Sequence, residues 1–234
     1  MNNKIHLGDS LEIMKKIPKN SIDLVVTDPP YIINGDTNSE TKEWRGVKSL
    51  GKIKKGLNHI ADGFNAKSYF IELERVLKKF NAFIFCSNHQ IAELMNEGKN
   101  RGYFTTLLVW HKTNTVPFAN GVYRGDLEFC IHFRESGATF NGNAKEKSKI
   151  YISPTEVSKY GHPTEKPLKL IEKYIKIGSN KNDVVLDPFL GSGTTVNACI
   201  NLDRQYIGIE IDEKYHNIAK EREQKAKGKW GLFA

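Results

Sequence analysis

A carboxylate, two prolines and an aromatic ring follow directly on an apolar run: Ile22-Asp23-Leu24-Val25-Val26-Thr27 leads into Asp28-Pro29-Pro30-Tyr31. The run reads as a buried strand, and it stops there because proline cannot donate to a central ladder. In an open α/β sheet, the carboxyl end of such a strand is where ligands bind. The two prolines stiffen the backbone, so the turn offers the Asp28 carboxylate and the Pro29 carbonyl as fixed acceptors, and Tyr31 adds a flat face. Two acceptors beside a stacking ring suit a planar amino group such as the exocyclic NH2 of a nucleobase. The plainer reading of these four residues is a proline-rich strand terminator with a capping aspartate.

A second constellation lies near the other end of the chain. Asp183-Val184-Val185-Leu186 enters Asp187-Pro188-Phe189-Leu190-Gly191-Ser192-Gly193-Thr194-Thr195, and a helical pattern begins at about Thr194. Glycines in such a turn let a ligand approach the backbone, and the helix N-terminus adds partial positive charge. The next β-rich run, Gln205 to Ile211, carries Glu210 near its end, where an acid is placed to accept ribose hydroxyls. The pair points to an adenosine-containing cofactor without saying which. Val196 stands where a dinucleotide fingerprint would have its third glycine, and no Gly-Lys-Ser/Thr follows, so a phosphate-cradling P-loop is excluded. Taken alone, the turn also reads as structural.

Between these lies His162-Pro163-Thr164-Glu165-Lys166-Pro167. The three motifs together, in this order, resemble the β class of S-adenosylmethionine-dependent DNA amino-methyltransferases, whose permuted arrangement puts the catalytic half first and the cofactor half last. Gly8-Asp9-Ser10, at the end of the first short strand, resembles a further element of that family that helps hold the cofactor adenine. The resemblance implies a Rossmann-like S-adenosylmethionine-dependent methyltransferase fold of the α/β class. Its sheet would have seven strands, mostly parallel with an antiparallel hairpin strand, in a single domain over residues 1–234. It implies catalytic roles for Asp28, Pro29, Pro30 and Tyr31. Cofactor contacts carried over are Asp9, Thr164, Lys166, Asp187, Pro188, Phe189, Gly191, Ser192, Gly193, Thr194 and Glu210, with Lys166 directed at the methionine carboxylate and His162 shaping its turn. In that family an Asp at the first position of the catalytic turn usually accompanies N6-adenine methylation, and a Ser N4-cytosine methylation. Asp28 therefore favours adenine. Cytosine C5 chemistry needs a Pro-Cys nucleophile, and none of Cys86, Cys130 or Cys199 follows a proline. RNA enzymes with related Asn-Pro-Pro-Tyr turns are set aside on the motif order. A module that keeps the cofactor fold without the chemistry is disfavoured by the intact acceptor pair and ring.

The elements that must position these residues alternate β-rich and helical patterns, as a parallel sheet covered by helices requires. Phe70, Leu73, Val76, Leu77 and Phe80 recur at helical spacing within 66–80; Ala82-Phe83-Ile84-Phe85-Cys86 reads as a buried strand, and Asn88 as the cap of a helix reaching Met95. Residues 104–110 and 127–133 read as a hairpin with a long tip. A helix is expected over Glu165 to Ile177 with Pro167 in its first turn, and a last, basic helix over Lys214 to Lys225. Segments 33–65 and 111–160 match no family pattern, and the resemblance makes them the variable, DNA-facing parts. Within the first, Lys42, Arg45, Lys48, Lys52, Lys54 and Lys55 are opposed only by Glu43, which marks it for the phosphate backbone of double-stranded DNA.

Composition agrees. Lys and Arg number 35 against 27 Asp and Glu, a net charge of +8 that attracts polyanions. No apolar stretch approaches the length of a membrane span, no secretory segment is apparent, and the three separated cysteines suggest neither a disulfide framework nor a zinc site, so a cytoplasmic protein without a metal is expected. A homodimer and a companion restriction endonuclease are left open as partners, and the recognition sequence is not legible.

Overall fold

The computed structural model describes residues 2–30, 65–115, 123–155 and 165–230. In chain order the strands are β1 Lys4–Leu7, β2 Leu24–Thr27, β3 Asn81–Cys86, β4 Phe104–Lys112, β5 Leu127–Arg134, β6 Ile150–Ser153, β7 Val184–Asp187 and β8 Gln205–Glu210. The helices are α1 Ser10–Met14, α2 Ala66–Val76, α3 Ile91–Asn100, α4 Leu168–Gly178, α5 Thr194–Asn201 and α6 Glu213–Trp230. All eight strands form one sheet in the order β1-β8-β7-β2-β3-β5-β4-β6. Only β5 is reversed: it pairs antiparallel with both β3 and β4, while every other pairing is parallel.

The sheet is buried on both faces, and strand alternation sorts the core into two layers. Val25, Ala82, Ile84, Ile131 and Phe133 face Met14, Phe70, Leu73, Val76 and Leu94 of α1, α2 and α3. Leu24, Val26, Phe83, Phe85, Trp110 and Cys130 face Leu170, Ile171, Tyr174, Val196, Cys199 and Ala219 of α4, α5 and α6. This is why β2, β3 and β7 are buried at every position rather than at alternate ones.

The expected class is therefore observed, with one strand more than the seven anticipated. The addition is β6, which pairs with the end of β4 inside a stretch expected to be irregular. Its four residues, Ile-Tyr-Ile-Ser, are too few to show a period between polar neighbours. The expected hairpin is observed as β4 and β5. Two boundaries move: α3 begins at Ile91 behind Gln90, not behind Asn88, and α4 begins at Leu168, with Pro167 at its N-cap and not in the first turn. No described helix is long and apolar enough to cross a membrane.

Candidate active site

The carboxyl ends of β1, β8, β7 and β2 lie side by side. Leu7 is in register with Glu210, Asp187 with Gly208, and the Thr27 hydroxyl donates to Asp187 Oδ1 at 2.8 Å. Asp9, Asp28, the glycine-rich turn and Glu210, separated by up to two hundred residues of chain, thus share one edge of the sheet. Among the sequence-predicted residues, Tyr31, Thr164 and the basic group Lys42, Arg45, Lys48, Lys52, Lys54 and Lys55 lie outside the described residues, as does His162.

The turn between β7 and α5 is built from within. Asp187 is 4% exposed, and its carboxylate accepts from Thr27 Oγ1, the Phe189 N–H and Thr195 Oγ1. Burial pushes its carboxyl up to about 6 against those three hydrogen bonds. Through these three bonds the Asp187 side chain holds the loop together. Ser192 is likewise buried, and both its hydroxyl and its carbonyl accept from Arg222 Nη1 of α6, at 2.8 and 3.0 Å. Arg222 also pairs with Glu165 at 2.6 Å, and Thr194 Oγ1 lies 3.3 Å from the same Glu165 oxygen. Phe189 packs its ring on Tyr69 with centroids 5.1 Å apart. Gly193 has φ +91°, and a Cβ there would lie 3.0 Å from Ala219 Cβ and 3.1 Å from Ala219 Cα, so glycine is what lets α6 close on the turn.

Glu210 stands half-buried at the end of β8. One carboxylate oxygen accepts the Gly191 N–H at 2.7 Å, the other the Asp212 N–H at 2.8 Å. Burial raises its pKa, and the backbone N–H groups work the other way. At the end of β1, Asp9 is exposed and caps α1 by accepting the Glu12 N–H at 3.0 Å.

Just past β2, Asp28 is 25% exposed and its Oδ2 receives Lys166 Nζ at 2.6 Å. Lys166 is only 6% exposed; it also lies 3.1 Å from Glu128 Oε2 and 5.0 Å from the Phe85 ring centroid. The lysine expected at the methionine carboxylate is thus buried against Asp28. Glu128, Arg222 and Glu165 were missed. Glu128 alone left a signal: a single acid in the run Leu-Glu-Phe-Cys-Ile-His-Phe. No described cluster of His, Cys, Asp and Glu has the makings of a metal site.

The sequence model of the DNA methylase family, of the N6/N4 type, matches residues 22–221. The chain is 30% identical to the type II methyltransferase M.HinfI of Haemophilus influenzae, over 94% of this chain and 68% of that protein. Its fold matches the crystal structure of the M1.HpyAVI–SAM complex at a TM-score of 0.68 and 29% identity, over 94% of this chain and 98% of that one. It also matches the cytosine-N4-specific PvuII DNA methyltransferase at a TM-score of 0.72 over 97% and 91%; at 19% identity this is a likeness of fold alone. The chain belongs to the N6/N4 DNA methylase family.

Proposed function

We propose that this DNA methylase transfers a methyl group from S-adenosylmethionine to N6 of adenine in double-stranded DNA, at a site whose sequence the irregular segments read. What carries the reading is the position of Asp28-Pro29-Pro30 at the carboxyl end of β2, next to the glycine-rich turn that ends β7.

The donor set fits the cofactor. A half-buried carboxylate pre-set by two backbone N–H groups, a glycine turn at a helix N-terminus and an exposed Asp9 on the neighbouring strand form an adenosine-binding edge. Glu210 would hold the ribose hydroxyls, Asp9 the adenine side, and the loop at 188–194 the remainder, with Thr164 close by in sequence to Lys166. When bound, the cofactor supplies an electrophilic methyl on a sulfonium. The chain's own residues do the rest. A target base leaves the duplex stack at a cost of a few kcal/mol and enters beside β2. Asp28 and the Pro29 carbonyl accept its amino hydrogens, which returns lone-pair character to a nitrogen otherwise delocalised into the ring. Tyr31 stacks on the base and fixes its approach. Asp28 then stabilises the cationic amine formed on transfer until its proton leaves. Holding both reactants in attack geometry accounts for much of the acceleration.

Asp28, in place of a serine, supports adenine over cytosine. Incubation with unmethylated DNA and labelled S-adenosylmethionine, followed by digestion to nucleosides and chromatography, tests it. Label in N6-methyl-2′-deoxyadenosine is expected, and label in N4-methyl-2′-deoxycytidine overturns the adenine assignment. DNA that takes up no label, despite cofactor binding, would leave a binding module in place of an enzyme.

A further inference from the structure

Asp28 is the first of four charged groups in a row of alternating sign. Lys166 Nζ lies 2.6 Å from Asp28 Oδ2 and 3.1 Å from Glu128 Oε2, and Lys112 Nζ lies 2.6 Å from Glu128 Oε1. Each group comes from a different element: Asp28 from the end of β2, Lys166 from just before α4, Glu128 from the start of β5 and Lys112 from the end of β4. Reversal of β5 makes this meeting happen, because it brings the beginning of that strand to the edge where the parallel strands finish. Burial works against the Lys166 ammonium, yet Asp28 and Glu128 outweigh it and hold its pKa above the usual lysine range. Burial likewise pushes the Glu128 carboxyl up, and Lys166 and Lys112 overcome it to hold that group below the usual carboxylate range. A buried ion pair is weak evidence for stability, since desolvation offsets most of its attraction. The row therefore asks for another purpose.

We propose that Glu128 is a positioning residue for methyl transfer, acting on Asp28 through the shared ammonium of Lys166, with Lys112 orienting Glu128. The inference rests on the reading of Asp28 as acceptor of the target amino group. A carboxylate that monopolises a buried cation is a poor acceptor for a second, neutral donor. Glu128, 3.1 Å from the same ammonium, shares its charge with Asp28, and so leaves Asp28 both fixed and able to accept. Glu128→Gln keeps the size and the polarity but removes the competing charge, so the Lys166 ammonium, 2.6 Å from Asp28 Oδ2, is left to Asp28 alone. The glycine-rich turn and Glu210 belong to β7 and β8, across β2 from this row, and are not disturbed.

The test separates rate from affinity. Single-turnover methylation of plasmid DNA by E128Q is expected to slow tenfold or more, while S-adenosylmethionine binding by calorimetry stays within twofold of the parent. E128D, which keeps the charge but withdraws it by one methylene, recovers part of the rate. A folded E128Q whose rate stays within twofold overturns the proposal. So does a loss of cofactor affinity as large as the loss of rate, which would mean that Glu128 aims Lys166 at the cofactor and not at Asp28. If E128Q fails to fold, E128D carries the test: a threefold to tenfold loss of rate at unchanged cofactor affinity supports the proposal, and an unchanged rate overturns it. D28N measured in parallel keeps the two readings apart. Turnover retained by D28N removes the Asp28 reading itself, whereas an inactive D28N beside an unslowed E128Q removes only the role of Glu128.

Discussion

On the proposed mechanism, replacing Asp28 with Ala removes the acceptor for the target amine while leaving the proposed cofactor edge of β1, β8 and β7 intact. Methylation measured with labelled cofactor should fall by well over tenfold, more than ~1.4 kcal/mol of transition-state stabilisation, with cofactor binding nearly unchanged. Glu210→Ala should do the opposite. It withdraws a charged acceptor that two backbone N–H groups hold in place. The loss expected for hydrogen bonds to a charged group is roughly 1.5–3 kcal/mol of cofactor affinity by calorimetry. Both residues were legible in the sequence because each closes an apolar strand in a short local motif. The partners of Asp28 were not. Lys166 is 138 positions away, and the charge state of such a pair depends on burial that no local pattern encodes. Arg222 read as one more cation on a basic helix, yet it is buried and joins Ser192 to Glu165.

The turn between β7 and α5 concentrates the constraints that one element places on the site. Gly193→Ala would require a left-handed φ of a residue with a Cβ and would drive that Cβ against the Ala219 backbone. A destabilisation of about 2 kcal/mol or more is expected in chemical denaturation, with weakened cofactor binding. Arg222→Met leaves Glu165 without that partner near the same turn, and breaking a buried pair in this way costs about 3 kcal/mol or more. Asp187 makes the turn sensitive to pH. Its folded pKa, about 6, lies above the ordinary 3.8. A raised acid stabilises the fold fully below the unfolded value, and that contribution is lost as pH rises through the folded one. The difference of about two pH units corresponds to roughly 3 kcal/mol, less whatever residual solvation the site retains. Thermal melting of the parent should therefore gain on that of Asp187→Asn between pH 7 and pH 4.5; parallel curves would contradict the buried acid. At this scale the sequence spoke through apolar runs and glycine spacing, so β2, β3, β7 and α5 were foreseen nearly in place. It was silent on β6, whose four residues form a strand only because the end of β4 offers an unpaired edge.

For the whole molecule, the excess of cations bears on how the pocket meets its polymer. A net charge of +8 is spread over the chain, but Lys42 to Lys55 concentrates six cations against one acid. That segment, outside the described residues, begins fourteen positions beyond Asp28 in the sequence. A flipped base stays tethered to its duplex, and the phosphates flanking it lie within reach of whatever borders the pocket. If the segment neutralises several of them, log affinity should fall with log salt by roughly 0.9 for each phosphate. Changing Lys52, Lys54 and Lys55 together to Ala should weaken binding to all duplexes alike and flatten that slope by about 2–3, since phosphate contacts carry no sequence information. Cofactor affinity should not move, because the proposed cofactor edge belongs to β1, β7 and β8. Fluorescence anisotropy over a salt series on a labelled duplex gives slope and affinity together. A triple variant with the parent's slope would place the phosphate contacts on other cations of this basic chain.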